Sequence, residues 1–272
     1  MKTIGQALQE ALTLNTSDSL SDSQESAEHI CPYCSQVVPP LEINILGIVR
    51  RVQPRCRCEV QAYEAGIQEA AERKRRNDIE RKFAISSLGA RFQECRFETF
   101  SPRFGSDRLA ETLRRYAESF DGGPNSYVIW GVPGNGKTHL AAAVCHTIKE
   151  RGFIPVFQSV PELLERIRNT FDGKHKETER EIMAALLECD LLVLDDIGAE
   201  KPTEWVQDVL FRIVDGRYRN KRPILYTSNF DIRGLAERLG PRIVDRMVET
   251  STIIENKATS YRMESALRRD EG

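Results

Sequence analysis

The stretch Gly131-Val132-Pro133-Gly134-Asn135-Gly136-Lys137-Thr138 constrains this chain more than any other. It has the form G-x-x-x-x-G-K-T, a phosphate-binding loop when a strand precedes it and a helix follows. Both flanks are present. Ser126-Tyr127-Val128-Ile129-Trp130 is a short apolar run, and Leu140-Ala141-Ala142-Ala143-Val144 is a good helix former. Glycines at 131, 134 and 136 let backbone N–H groups close on phosphate oxygens, where a Cβ would block the approach. Lys137 brings positive charge to the β- and γ-phosphates, and the Thr138 hydroxyl is a Mg²⁺ ligand. The following helix directs its N-terminus at the anion. Pro133, Asn135 and His139 lie in the same stretch and are assigned to the nucleotide with it.

Further along, apolar runs alternate with helical patterns. Ile154 to Ser159 reads as a strand, and Val160 to Phe171 as a helix with apolar residues at 160, 163, 164, 167 and 171. Thr178 and Glu181 have capping-box spacing, opening a helix to Cys189. Asp190-Leu191-Leu192-Val193-Leu194-Asp195-Asp196 is apolar enough to be a strand buried on both faces. Its carboxylates emerge at the C-terminal edge, where open α/β sheets bind ligands. Asp195 is placed to hold Mg²⁺, and Asp196 to orient or deprotonate an attacking water. Thr203 to Tyr218 is a helix, followed by a basic group at Arg217, Arg219, Lys221 and Arg222. Pro223 to Asn229 is a strand ending in polar groups, with Asn229 able to position the water. Helices at 235–239 and 242–248 and a strand at 252–254 complete a doubly wound parallel sheet with helices on both sides.

The N-terminal part differs. Residues 1–30 are rich in Ser, Asp and Glu, and read as a flexible tail or a docking peptide that folds on a partner. Cys31-Pro32-Tyr33-Cys34 is answered, after 21 intervening residues, by Cys56-Arg57-Cys58. Two close pairs at about that separation are a zinc-ribbon signature, with a C-x-C second pair as a small departure. Cys31, Cys34, Cys56 and Cys58 would bind one structural Zn²⁺, since four protein ligands leave no open position. Four unrelated thiols or a redox pair are the alternatives. Residues 31–60 are the expected ribbon and 61–90 a charged helical linker, whose basic run reads as a solvated face with pairs such as Asp78–Lys82. Phe92, Phe97, Phe100 and Phe104 are expected to cap the core or cover the adenine. The main domain then spans 91–265, with a tail at 266–272.

The chain has 272 residues, a net charge of −2 and seven cysteines. That balance gives no global pull toward nucleic acid, so a DNA site must be a local patch. No apolar run approaches the roughly 20 residues of a membrane span, and the N-terminus has no apolar signal core. A cytoplasmic protein with no membrane partner is expected.

The motifs Gly134-Asn135-Gly136-Lys137-Thr138-His139-Leu140-Ala141, Leu192 to Glu200, Tyr226-Thr227-Ser228-Asn229, Gly240 to Met247 and Ser260-Tyr261-Arg262 together resemble the AAA+ ATPases of the DnaC/DnaI-type helicase loader family, within the IstB-like ATPases. The resemblance runs from about Phe97 to Arg262. It implies an AAA+ P-loop three-layer α/β/α fold and ATP with Mg²⁺ as ligands. It also implies a role in DNA replication: delivery of a replicative hexameric helicase to single-stranded DNA. By the same resemblance Asn229 is the first sensor, Arg246 the arginine finger acting on a neighbouring subunit, and Arg262 the second sensor. The cysteine segment resembles the N-terminal domain of DnaI-like loaders, which implies docking on the helicase. Many AAA+ proteins carry Asp-Glu where this chain has Asp195-Asp196; the shorter Asp196 implies slow hydrolysis. A transposition helper of the IstB type and a nucleotide-binding adaptor that does not hydrolyse ATP stay open. Single-stranded DNA would meet basic residues such as Lys174, Lys176, Arg219 and Lys221.

Overall fold

In the computed structural model the described residues are 29–45, 48–83, 90–172 and 177–261. The chain divides into two units, 1–71 and 72–272. In the first, β1 (His29–Ile30) pairs antiparallel with β2 (Val37–Val38), and β3 (Leu41–Ile45) with β4 (Ile48–Val52). The second of these antiparallel pairs lies between the two cysteine pairs, where Ile43, Ile45, Ile48, Val49 and Val52 supply strand-like residues. The tail expected over 1–30 falls outside the described residues up to 28, while His29 and Ile30 already belong to the first hairpin. Helix α1 (Arg57–Lys82) follows directly and crosses the unit boundary.

In the second unit, after a short α2 (Ala90–Gln93), the chain runs through α3 (Asp107–Glu118), β5 (Ser126–Trp130), α4 (Lys137–Glu150), β6 (Pro155–Ser159) and α5 (Val160–Asn169). It continues with α6 (Glu179–Glu188), β7 (Leu191–Asp195), α7 (Glu204–Arg219), β8 (Ile224–Ser228), α8 (Ile232–Leu239), α9 (Pro241–Thr250) and β9 (Ser251–Glu255). The five strands form one sheet in the order β6-β7-β8-β5-β9, all pairs parallel. Strand period two divides the core. Leu191 and Val193 face one layer with Leu113, Leu140 and Val144; Leu192 and Leu194 face the other with Leu163, Leu210 and Met247. Every residue of β7 and β8 is buried, the apolar ones in the two core layers and Asp195, Thr227 and Ser228 at the C-terminal ends. Each fully buried Leu, Ile or Val contributes about 1.5–3 kcal/mol. The result is the expected three-layer α/β/α sheet.

The helix starts follow their sequence signals. Thr178 and Glu181 form the expected capping box on α6. Thr203 caps α7 by accepting from Val206 N–H, and Asp231 caps α8 by accepting from Gly234 N–H at 2.8 Å.

Three expectations need correcting. The basic run of α1 is largely exposed, as expected, but Ile79 within it and Phe83 just past its end are buried in the core of the second unit. Asp78 pairs with Arg81, and Lys82 with Glu181, instead of Asp78 with Lys82. Phe104 is 97% exposed and covers nothing, whereas Phe97 is buried. Arg217 is not a surface cation. It is fully buried and donates to the carbonyls of Leu186, Cys189 and Pro223 at 2.7–3.1 Å. It collects orphan carbonyls at the end of α6 and the start of β8, a task a helix C-terminus gives to cations. Arg219 and Lys221 are exposed. Lys174, Lys176 and Arg262 lie outside the described residues. Among the described residues, no helix is long and apolar enough to cross a membrane.

Candidate nucleotide site and cysteine cluster

Parallel topology puts the C-terminal ends of β5, β7 and β8 side by side, and these ends carry the polar residues. They border a cleft of about 510 Å³, lined by Pro133 to His139, Asp195, Asp196, Thr227 and Asn229, together with Phe100, Arg103 and Tyr261. Gly134 and Gly136 have φ of +79° and +98°, values that strain any residue with a Cβ. A Cβ on Gly136 would also meet the Phe100 ring. Gly131 serves differently: a Cβ there would overlap the Asn256 carbonyl oxygen. Asn135 is fully buried, donating to Asn256 O at 2.8 Å while Asn256 donates back to Asn135 O at 3.0 Å. Tyr261 N–H donates to Gly134 O at 2.9 Å. The chain after β9 therefore props the loop from behind. His139 lines the cleft, its ring tilted 55° to that of Phe100 with centroids 5.3 Å apart, and one ring nitrogen lies 2.8 Å from Arg96 O.

Lys137 Nζ lies within hydrogen-bond reach of four acceptors, Gly131 O (2.8 Å), Val132 O (2.9 Å), Asn135 Oδ1 (3.1 Å) and Asn229 Oδ1 (3.0 Å), which share its three N–H groups. Asn229 Nδ2 in turn donates to Asp196 Oδ1 at 2.7 Å, so Asn229 bridges the loop lysine and the second carboxylate. Thr138 Oγ1 donates to Asp195 Oδ2 at 3.2 Å, the pairing expected of two groups that share a Mg²⁺. Burial pushes the Asp195 carboxyl above its usual range, opposed by the hydroxyls of Thr227 and Thr138.

Sequence reasoning assigned no role to Thr227. Its hydroxyl donates to Asp195 Oδ1 at 2.6 Å and accepts from Asp196 N–H at 2.9 Å. Asp196 itself has φ +58°, a left-handed conformation that Asp tolerates better than most residues. The available signal was a polar residue two before Asn229, on a buried strand beside one ending in acid. Asn256 had no comparable signal.

Arg246 is not part of the cleft lining. On α9, its Nε donates to Asp215 Oδ1 at 2.6 Å. Burial raises the Asp215 carboxyl, but bonds from Arg246 and Arg219 outweigh it and hold the group below the usual range.

In the first unit, the sulfurs of Cys31, Cys34, Cys56 and Cys58 lie within 4.8 Å of one another. Cys34 Sγ and Cys56 Sγ are 3.6 Å apart. A tetrahedron with Zn–S arms of 2.3 Å has edges of about 3.8 Å, so spacing and donor type both suit Zn²⁺. Hydrogen bonds with Cys34 and Cys56 push the Cys58 thiol up to about 11. Cys56 N–H donates to Glu59 Oε2 at 3.0 Å, fixing the second cysteine pair at the start of α1.

Sheet order, loop and edge carboxylates define an AAA+-type P-loop nucleotide-binding protein. The chain belongs to the family described as IstB-like ATP binding protein, whose model matches residues 66–268, and within it is a DnaC-type AAA+ ATPase. It is 32% identical over 170 residues to the replicative helicase loader DnaC of Escherichia coli (strain K12), covering 62% of this chain and 69% of that protein. The crystal structure of the DnaC helicase loader matches with a TM-score of 0.57 and 26% identity, over 62% of this chain and all (100%) of that one. The crystal structure of DnaI shares the fold, with a TM-score of 0.55 and 24% identity over 61% and 93%.

Proposed function

We propose that this chain is a slow ATPase of the cytoplasm that loads a replicative hexameric helicase onto single-stranded DNA. The supporting observation is that the residues needed for phosphate binding, Mg²⁺ binding and water positioning converge in one cleft, in a chain similar to a helicase loader. Lys137 holds the β- and γ-phosphates, exchanging its loop carbonyls for phosphate oxygens. Thr138 and Asp195 hold Mg²⁺, which neutralises phosphate charge when bound. Asn229 orients Asp196 from one side and Thr227 anchors its backbone from the other. Asp196 receives the proton of the attacking water. Its carboxylate is one methylene shorter than glutamate, which accounts for slow turnover. Arg246 acts on ATP held by a neighbouring subunit, and Arg262 on the chain's own nucleotide, so hydrolysis depends on self-assembly. The cysteine module binds Zn²⁺ as a structural ion and docks on the helicase. Arg219, Lys221, Lys174 and Lys176 meet single-stranded DNA.

The test joins this protein, a replicative ring helicase and ATP on closed circular single-stranded DNA carrying an annealed oligonucleotide. Loading appears as oligonucleotide release that depends on this protein and on ATP. No release, together with stimulation of a transposase, would favour the IstB-type transposition helper that the family description also accommodates. Release without phosphate production would identify a nucleotide-binding adaptor.

A further inference from the structure

Helices α7 and α9 carry an arrangement outside the nucleotide cleft. Residues four and seven apart share a helix face. On α7 this aligns Phe211, Asp215 and Tyr218; on α9 it aligns Arg242, Arg246 and Glu249. Each residue meets its counterpart 31 positions along the chain. The Arg242 guanidinium lies over the Phe211 ring, 4.4 Å from its centroid. Arg246 Nε donates to Asp215 Oδ1 at 2.6 Å, and the Tyr218 hydroxyl donates to Glu249 at 2.9 Å. Arg246 also lies over Phe211 and Tyr218, at 4.9 and 5.7 Å from their centroids. Its Nη1 donates to Arg242 O at 3.0 Å.

Arg246 is therefore fixed at Nε, at Nη1 and across its plane, yet its side chain is 26% exposed. Among the described residues no acceptor meets Nη2. Asp215 is the opposite case: only 5% exposed and held by two arginines, Arg246 and Arg219. Stability alone is a poor reason to bury a carboxylate, because losing water offsets much of the gain from pairing. Orientation is a better one. A guanidinium gripped along one edge keeps its remaining donors in a fixed fork, matched to a phosphate.

We propose that Asp215 is a positioning residue for Arg246. It turns the Nη2 edge outward, so that this face of α7 and α9 meets the nucleotide bound by a second copy of the chain. Phe211 and Tyr218 hold the plane of the guanidinium. The proposal rests on the reading that Arg246 acts across subunits, and it adds the residue that aims it.

Mixing experiments separate the two ideas. Asp215→Asn keeps the side-chain shape but loses the charge that grips Nε. Its ATPase should fall roughly 10- to 100-fold, the scale of a misplacement near 1 Å. Its affinity for a fluorescent ATP analogue should stay within about twofold of the parent. Mixed with Lys137→Ala protein, which retains Asp215 and Arg246, it should regain turnover, because an intact cleft then meets a correctly held arginine. Asp215→Glu keeps the charge if the asparagine variant folds poorly. It displaces the guanidinium by about one methylene, and should show the same loss and the same recovery. Arg246→Ala mixed with Lys137→Ala is the reference. If that reference recovers while neither Asp215 variant does, Asp215 is structural and the proposal falls alone. Unchanged turnover in both Asp215 variants overturns it equally. If the reference itself stays inactive, Arg246 does not act across subunits, and both ideas fall together.

Discussion

Replacing Thr227 with valine removes one oxygen at nearly constant shape, and that oxygen serves two buried partners. Its hydrogen bond to Asp195 Oδ1 is 2.6 Å long and reaches a carboxylate that is only 6% exposed. A bond to a charged group is worth about 1.5–3 kcal/mol, and leaving a buried N–H such as that of Asp196 without its acceptor costs about 1–3 kcal/mol. Both bonds share one atom, so they do not simply add; a loss of about 2–4 kcal/mol is expected. In a unit of this size that lowers the melting temperature by about 5–15 °C. Urea titration should show a lower midpoint at unchanged slope. Thr227→Ser is the control. It keeps both bonds and removes one methyl, costing about 1 kcal/mol. The Asp195 carboxylate, no longer held toward Thr138, should also need roughly tenfold more Mg²⁺ for ATP to stabilise the protein. If the valine and serine variants lose equal stability, the hydroxyl does not hold the two carboxylates and this reasoning fails.

Three further outcomes follow from the same geometry. Purified protein should contain about one zinc, lost with the folded signal of the first unit in a Cys56→Ser/Cys58→Ser variant; a parent protein without zinc contradicts the ligand assignment. Lys137→Ala should abolish nucleotide binding, whereas Asp196→Asn should retain binding and slow hydrolysis, because only Lys137 meets the phosphates in the ground state; equal loss of binding would reject the division. Asp195, whose carboxyl is held above its unfolded value, binds its proton more tightly in the native state, so its share of stability falls as pH rises through that interval. Without nucleotide, Asp195→Asn should therefore melt above the parent at pH 7, with the gap closing below the unfolded carboxylate value of about 3.9. A gap independent of pH would show that burial of the charge is not its cause.

Local signals in this chain were legible wherever the cause was local. Residues 131–138 are contiguous, and the positive φ angles of Gly134 and Gly136 favour glycine whatever surrounds them. The strand–helix alternation announced the sheet because burial on both faces makes Leu191 to Leu194 of β7 uniformly apolar, with Asp195 only at its C-terminal end. Capping at Thr178 and the four-cysteine spacing are likewise properties of short segments. Reading failed where a side chain's environment comes from distant sequence. Arg217 reads in sequence as one of a basic group with Arg219, Lys221 and Arg222, yet it is buried among the carbonyls of α6 and those next to β8. Phe104 looked like a core aromatic and is exposed.

The sequence by itself determined that this chain builds a phosphate-binding loop on a parallel α/β sheet, with carboxylates at the end of another buried strand. Those features follow from residue order within one strand, loop or helix. Only the tertiary structure decided which groups restrain the residues around the cleft. Thr227 reaches Asp195 because adjacent parallel strands bring their ends together. Asn256 reaches Asn135 across 121 residues because the chain returns beside β5. Asp215 grips Arg246 because α7 and α9 pack with their polar stripes in register. Each partnership is a product of packing, and no spacing along the chain encodes it.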